Sequence, residues 1–257
     1  MRGVVSFVGA GPGAADLMTL RGADRLAAAD VVLFSPVLVD PVWLRAHTRD
    51  DADLVDLTRL SDEELLDLHR RVGSRLARAV RLVPGDPALS ADLREQRETC
   101  ERLGLDVEVV PGVSPISATA AAVGAPLLEP GADTLSLVEG VDAARAVATP
   151  GRTLVVHAPA ARAADLAEVL RTAGFPEDVP VAVAYKVTSP AETLLRTTLA
   201  DLTTEVKKAN LWRHAHFIIG DTTRQPTRPT TDPSRWTARA RRPKTDGEPR
   251  HTWSRPT

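Results

Sequence analysis

A single cysteine, Cys100, in 257 residues excludes an intramolecular disulfide and any zinc site built from several thiolates. A reducing, cytoplasmic setting is the expectation that follows. Long apolar runs are missing too. The run after Arg2 is cut by Gly9, Gly11 and Pro12, well short of the roughly 20 residues a membrane span needs, so it predicts a buried strand and no membrane association. Nor is there a large charge of one sign: a formal net charge of -2 argues against a general nucleic-acid binder. That total is unevenly spread. Residues 224–257 carry nine Lys or Arg against three Asp or Glu, a local balance of +6 that leaves about −8 for the rest. From Thr222 onward the chain has six prolines and almost no aliphatic side chains, which predicts disorder, because little apolar burial is there to offset the entropy of ordering.

The remaining composition, 43% hydrophobic and 26% charged, is that of a folded protein, and 257 residues suit two domains. Short apolar runs at Val4–Val8, Val31–Phe34, Leu54–Leu57, Val80–Val83 and Val107–Val110 alternate with amphipathic stretches, which predicts a mainly parallel α/β sheet. The clearest helix starts at Ser61, where Glu64 completes a capping box and Leu65, Leu68, Val72 and Leu76 share one face. After Pro111-Gly112 the pattern restarts with an Ala-rich helix over 114–123 and a punctuated stretch, Ala125 to Gly131. Further strands are expected at Thr134–Val138, Thr153–His157, Val181–Ala184 and His216–Ile219, with helices around 160–173 and 199–209. The expected organisation is an N-terminal α/β domain over 1–111, a C-terminal α/β domain over 112–223 and a basic, proline-rich tail over 224–257.

Three stretches carry the chemistry. The first is Gly9-Ala10-Gly11-Pro12-Gly13, between a buried strand and a helix that begins near Thr19; glycines there let the backbone turn and approach a ligand or another segment. Gly9-x-Gly11-x-x-Ala14 also fits the permissive dinucleotide fingerprint. A nicotinamide site, however, wants an acidic residue after the second strand, where this chain has Phe34 and Ser35, and Pro12 removes a phosphate-binding donor. The second is the Gly85-Asp86-Pro87 turn closing an apolar strand, a place where open α/β sheets hold ligands, although the residues alone read first as an ordinary turn. The third is Val109-Val110-Pro111-Gly112-Val113-Ser114, with Ser114 positioned to cap the Ala-rich helix.

In this order and spacing the three resemble the tetrapyrrole (corrin and porphyrin) methylase family, with a GxGPGD-like turn, a GDP loop after the fourth strand and a VPG-V-S segment at the domain junction. The likeness continues through Leu17-x-Thr19-Leu20-Arg21-Gly22, Asp30-Val31-Val32-Leu33, Thr153–His157, Pro180–Ala184 and Arg196-x-Thr198-Leu199-x-Asp201-Leu202, covering roughly residues 3–223. Within the family, Arg94-Glu95-Gln96, Glu108 through Ser114, and Ser189-Pro190-x-Glu192 are most similar to the precorrin-4 C(11) branch of cobalamin biosynthesis. Departures from that branch are Ser90-Ala91 in place of Tyr-Gly, Phe34-Ser35-Pro36-Val37 in place of an aromatic-Ala-Gly-Ser segment, and Ser189 in place of a Trp.

The resemblance implies two α/β domains with a cofactor and substrate cleft between them, S-adenosylmethionine as methyl donor, a tetrapyrrole acceptor and a homodimer. By motif matching it implies Pro12, Gly85, Asp86, Ser114, Pro115, Ala158 and Val187 as cofactor-binding residues, and no catalytic base. Two alternatives stay open: the same fold methylating a specialised metabolite or peptide, and a ligand-binding paralogue without turnover.

Other residues invite sharper readings that the sequence supports less. Glu95 is a candidate proton acceptor but reads first as a solvated helix position. His214 and His216 lack a third metal ligand nearby in sequence. Cys100 shares a helix face with Leu93 and Leu103, which predicts core packing. His157, at a strand end, divides evenly between lining a trough and packing in a core.

Overall fold

The protein is described by a computed structural model covering residues 2–128 and 134–224, so Met1, the residues Glu129 to Asp133 and the tail beyond Arg224 lie outside the described residues. Five parallel strands, β1 (Val4–Gly9), β2 (Val31–Phe34), β3 (Asp53–Asp56), β4 (Arg78–Val83) and β5 (Asp106–Val110), form a first sheet in the order β3-β2-β4-β1-β5. Strands covered on both faces read as near-continuous apolar runs, which is why they were legible. Alternation within them feeds two cores. Val8, Val32 and Leu82 pack with Leu26 of α1 (Leu20–Ala27) and Leu44 of α2 (Pro41–Ala46) on one side. Val5, Phe7 and Leu33 pack with Leu68 and Val72 of α3 (Asp62–Ser74) and Cys100 of α4 (Leu93–Arg102) on the other.

The start of α3 is decided locally. The Ser61 hydroxyl accepts from Glu64 N at 3.3 Å, while Glu64 Oε2 accepts from Ser61 N at 2.8 Å, so two end-of-helix donors are satisfied reciprocally. Its end differs from the periodicity: the helix stops at Ser74, and Leu76, expected on the buried face, has φ of 54° and is 55% exposed. Leu76 occupies the left-handed position after the helix, with its N–H bonded to Gly73 O at 3.2 Å, a role more often given to glycine.

After β5, α5 (Pro115–Val123) leads to a second sheet of β6 (Leu135–Glu139), β7 (Thr153–Pro159), β8 (Pro180–Tyr185), β9 (Thr193–Thr198) and β10 (His214–Ile219), in the order β6-β7-β10-β8-β9. β6 and β7 are parallel; β10 runs antiparallel between β7 and β8, and β9 is an antiparallel edge. One face carries the largest core, beneath α6 (Val141–Val147), α7 (Ala163–Thr172) and α8 (Leu202–Lys208). The opposite face meets α5 through Val155, Ala182 and Ile218 against Val123 and Ile116, and Arg196 of β9 donates to the Val123 carbonyl. The expected helix over 199–209 begins later, at Leu202, because Leu199 is drawn fully into the core just after β9.

Candidate functional site

The three glycine-bearing stretches meet at the carboxyl ends of β1, β4 and β5, which are adjacent in the sheet. Gly11 and Gly85 exchange backbone hydrogen bonds, N to O at 3.3 Å one way and 2.9 Å the other. A Cβ on Gly9 would lie 2.5 Å from both Gly112 Cα and Gly85 O, and one on Gly112 would overlap Gly85 O and lie 2.8 Å from Gly9 Cα. Gly85 is left-handed at φ 62°, and a Cβ there would run into the ring of Pro115. Every obstacle at Gly9 and Gly112 is backbone, so these glycines are required by main-chain packing, and the loops they anchor have one arrangement.

This rigid knot presents unpaired donors. Among the described residues the backbone N–H groups of Asp86, Val113 and Ser114 donate to no protein acceptor, although all three residues are half-buried. Half-buried amides of this kind suit the polar edge of a ligand, and they lie where open α/β sheets place one. The Ser114 hydroxyl is already used: it accepts from Ile116 N at 3.2 Å as the cap of α5. The Asp86 carboxylate likewise accepts from Ala88 N at 2.9 Å.

A segment of the second half closes on this knot. Ala14 N donates to Thr188 Oγ1 at 3.0 Å, and a Cβ on Gly13 would meet Thr188 Oγ1 at 3.1 Å and Val187 O at 3.2 Å. Lys186 and Thr188 both have positive φ, 49° and 65°, costly for a β-branched residue such as Thr188. Glu192 holds the bend by accepting from Thr188 N at 2.6 Å. Backbone strain kept in place by such a contact is a frequent mark of a functional loop.

Beside the knot, a cavity of about 330 Å³ opens at the ends of β2 and β4, lined among others by Ser35, Leu57, Arg81, Ser90, Asp92 and Gln96. Arg81 interrupts an apolar strand; its ladder neighbours Phe7 and Leu33 are both fully buried. Its Nη1 is buried and has no hydrogen-bond partner among the described residues. Nearby on α3, His69 is 4% exposed with both ring nitrogens unpartnered, and burial, then the Arg81 charge, push its pKa down to about 4.

Of the residues carried over from the resemblance, Pro12, Gly85, Asp86, Ser114, Pro115 and Val187 sit in or against the glycine knot and its covering loop. Ala158 differs: it pairs with Ala215 in the second sheet, and its methyl lies in the core beneath α7, away from the knot. Glu95 is exposed on α4. Cys100 is fully buried, and burial raises its thiol to about 11, which disfavours the reactive thiolate. His157 is half-buried, stacked 4.7 Å from His216, with Nδ1 3.2 Å from Glu139 Oε1. Burial, and next the charge of His157, lower the His216 pKa to about 4. No group of three or more His, Cys, Asp or Glu among the described residues is arranged to hold a metal. Sequence reasoning passed over Thr188, His69 and Arg81. Only Arg81 left a signal: a charge inside an otherwise apolar strand of a doubly covered sheet.

The sequence profile of the tetrapyrrole (corrin/porphyrin) methylases matches residues 4–203. A precorrin-4 C(11)-methyltransferase of Rhodococcus erythropolis is 37% identical over 227 residues, 84% of this chain and 90% of that one. The X-ray structure of a cobalt precorrin-4 methyltransferase, a cobalamin biosynthetic enzyme, superimposes with a TM-score of 0.78 at 30% identity, covering 86% of this chain and 95% of that one. A uroporphyrin-III C-methyltransferase of Thermus thermophilus, solved with S-adenosylhomocysteine, gives 0.69 at 29% identity over 86% and 99%. The chain belongs to the tetrapyrrole (corrin/porphyrin) methylase family.

Proposed function

We propose that this protein is an S-adenosylmethionine-dependent methyltransferase that methylates C11 of a precorrin-4-type corrin precursor in cobalamin biosynthesis. The observation that carries the reading is the glycine knot joining Gly9, Gly85 and Gly112, with its unpaired amides and strained cover at Lys186 to Thr188. The cofactor-binding residues in this reading are Pro12, Gly85, Asp86, Ser114, Pro115, Val187 and the backbone of Ala158. S-adenosylmethionine supplies a methyl group already activated on a sulfonium, so the protein's task is alignment. The N–H groups of Asp86, Val113 and Ser114 orient the bound molecule, and the knot keeps them from drifting. Because the methyl group arrives already activated, no side chain is assigned as a base.

The organisation that goes with it is an α/β domain over 1–111, a second over 112–223 and a basic tail over 224–257, in a cytoplasmic homodimer. Support comes from the expectations drawn above for the family and from the lone cysteine. The deciding experiment is incubation with precorrin-4 and S-adenosylmethionine, followed by mass spectrometry: a product one methyl heavier, labelled at C11, is expected. Binding of S-adenosylhomocysteine without any such product would overturn the acceptor assignment. A second reading, methylation of a different acceptor, is favoured by one observation, that Ser35 and Ser90, both departures from the precorrin-4 pattern, line the cavity.

A further inference from the structure

Residues 186–192 join β8 to β9, and one side chain holds their bend. Lys186 and Thr188 both have positive φ, 49° and 65°, a region in which Cβ crowds the main chain and which a β-branched residue rarely adopts. Two turns run through the segment: Ser189 N donates to Lys186 O at 3.1 Å, and Glu192 N donates to Ser189 O at 3.0 Å. Neither turn takes up a polar group of Thr188. Its N–H donates instead to Glu192 Oε2 at 2.6 Å, a short, charge-assisted hydrogen bond. Glu192 is exposed and forms no ion pair among the described residues, so its carboxylate is committed to this one contact there. The segment leads into β9, the edge of the sheet, so no further strand clamps it.

What Thr188 does in that conformation lies in the other half of the chain. Its Oγ1 accepts from Ala14 N at 3.0 Å, and the preceding residue, Val187, is buried with its carbonyl 3.2 Å from where a Cβ on Gly13 would sit. A Thr188 relaxed to negative φ would swing Oγ1 away from Ala14 N and carry Val187 O off the Gly13 turn. We infer that Glu192 is a positioning residue for the cofactor: by holding Thr188 N it keeps 186–188 closed over the glycine knot, although its own carboxylate is exposed. This rests on the cofactor site proposed above. Glu192 touches Thr188 and acts through it, so alignment of the cofactor depends on it while the methyl-transfer step does not.

The test uses the full chain and calorimetry with S-adenosylhomocysteine. Glu192→Ala is expected to raise the Kd about five- to twentyfold, the value of a charged hydrogen bond discounted for its exposure. Glu192→Gln keeps an oxygen that accepts from Thr188 N, so it is expected to stay within about threefold of the wild type. In turnover the KM for S-adenosylmethionine follows the Kd, with little change in kcat. A double-mutant cycle checks the route: in a Thr188→Val background, where the Ala14 contact is already lost, Glu192→Ala is expected to cost at most about twofold more. Hydrogen exchange at the Ala14 amide of the ligand-free protein reads the same link without cofactor, and is expected to be faster in Glu192→Ala and near the wild-type rate in Glu192→Gln. Unchanged S-adenosylhomocysteine affinity in Glu192→Ala, even with a lowered Tm, would overturn the inference and leave the cofactor site standing; so would additive effects in the cycle, equal losses in the Ala and Gln variants, or unchanged Ala14 exchange. Failure of the wild type to bind S-adenosylhomocysteine would overturn both the inference and the cofactor site. Binding that depends on Glu192 without methylation of precorrin-4 would retain the inference and reject the acceptor named above.

Discussion

Substituting Gly112 by alanine isolates the physical basis of the site. The added methyl would overlap Gly85 O and sit 2.8 Å from Gly9 Cα. Both obstacles are main chain in paired strands and loops, so neither can swing aside as a flexible side chain would. Overpacking of a tight site costs about 1–3 kcal/mol and sometimes more; with only backbone to displace, the upper end, about 3 kcal/mol, applies. For a domain of this size each kcal/mol lowers Tm by roughly 2–4 °C, giving a fall of roughly 6–12 °C. Gly151→Ala is the control. Gly151 has φ of 78° and nothing within 4 Å of its Cβ position, so it carries only the left-handed penalty, about 1 kcal/mol. Thermal unfolding and calorimetric titration with S-adenosylhomocysteine read both variants. Gly112→Ala is expected to lose most of its ligand affinity because the amides of Val113 and Ser114 shift with the loop; Gly151→Ala is expected to keep it. If Gly112→Ala were no less stable than Gly151→Ala and bound ligand normally, the knot would not be what positions the site.

Thr188→Val keeps the branched shape but removes the acceptor for Ala14 N, so S-adenosylhomocysteine affinity should drop several-fold with a stability loss of about 1 kcal/mol, both measurable on the same sample. Acid should destabilise the fold in a window defined by its buried histidines. His69 and His216 titrate near 4 when folded against about 6.5 when unfolded, so their contribution is complete above pH 6.5 and lost as pH falls toward 4. For His69 the upper bound is about 3 kcal/mol, and denaturant melts of His69→Leu between pH 7 and 4.5 should show a shallower pH dependence than wild type; an equal slope would contradict the assignment. Ser61→Ala removes one half of the α3 capping box and should cost about 1 kcal/mol in the same melts. Cys100 should resist thiol reagents at pH 8 until the protein is unfolded; labelling as fast as a free thiol would contradict its burial.

What could be read in advance followed from how much of each signal is local. The parallel strands β1, β2 and β4 stood out because burial on both faces makes their sequences mainly apolar, Ser6 and the arginines of β4 excepted, while the edge strand β5 was marked by Val107, Val109 and Val110 around Glu108. The edge strand β9, Thr-Leu-Leu-Arg-Thr-Thr, did not: one paired side and a half-exposed face leave a polar alternation resembling loop or helix start. The short helices α2 and α6 were likewise invisible, since two turns carry too little periodicity. The capping box at Ser61 was legible because it joins residues three apart, whereas the end of α3 was not, since Leu76 leaves the apolar face by a backbone reversal that its side chain does not signal.

By itself, then, the sequence determined the strand order of events along the chain, the glycine positions and, through their spacing, the family. Tertiary structure decided what those glycines are for. Gly9, Gly85 and Gly112 are distant in sequence, and only the order β4-β1-β5 brings their backbones together. The same holds for Thr188 against Ala14, and for His69, whose depressed pKa comes from burial and from Arg81, a neighbour in space. Steric exclusion and Coulomb interaction act through distance in three dimensions, so they become legible once the chain has folded.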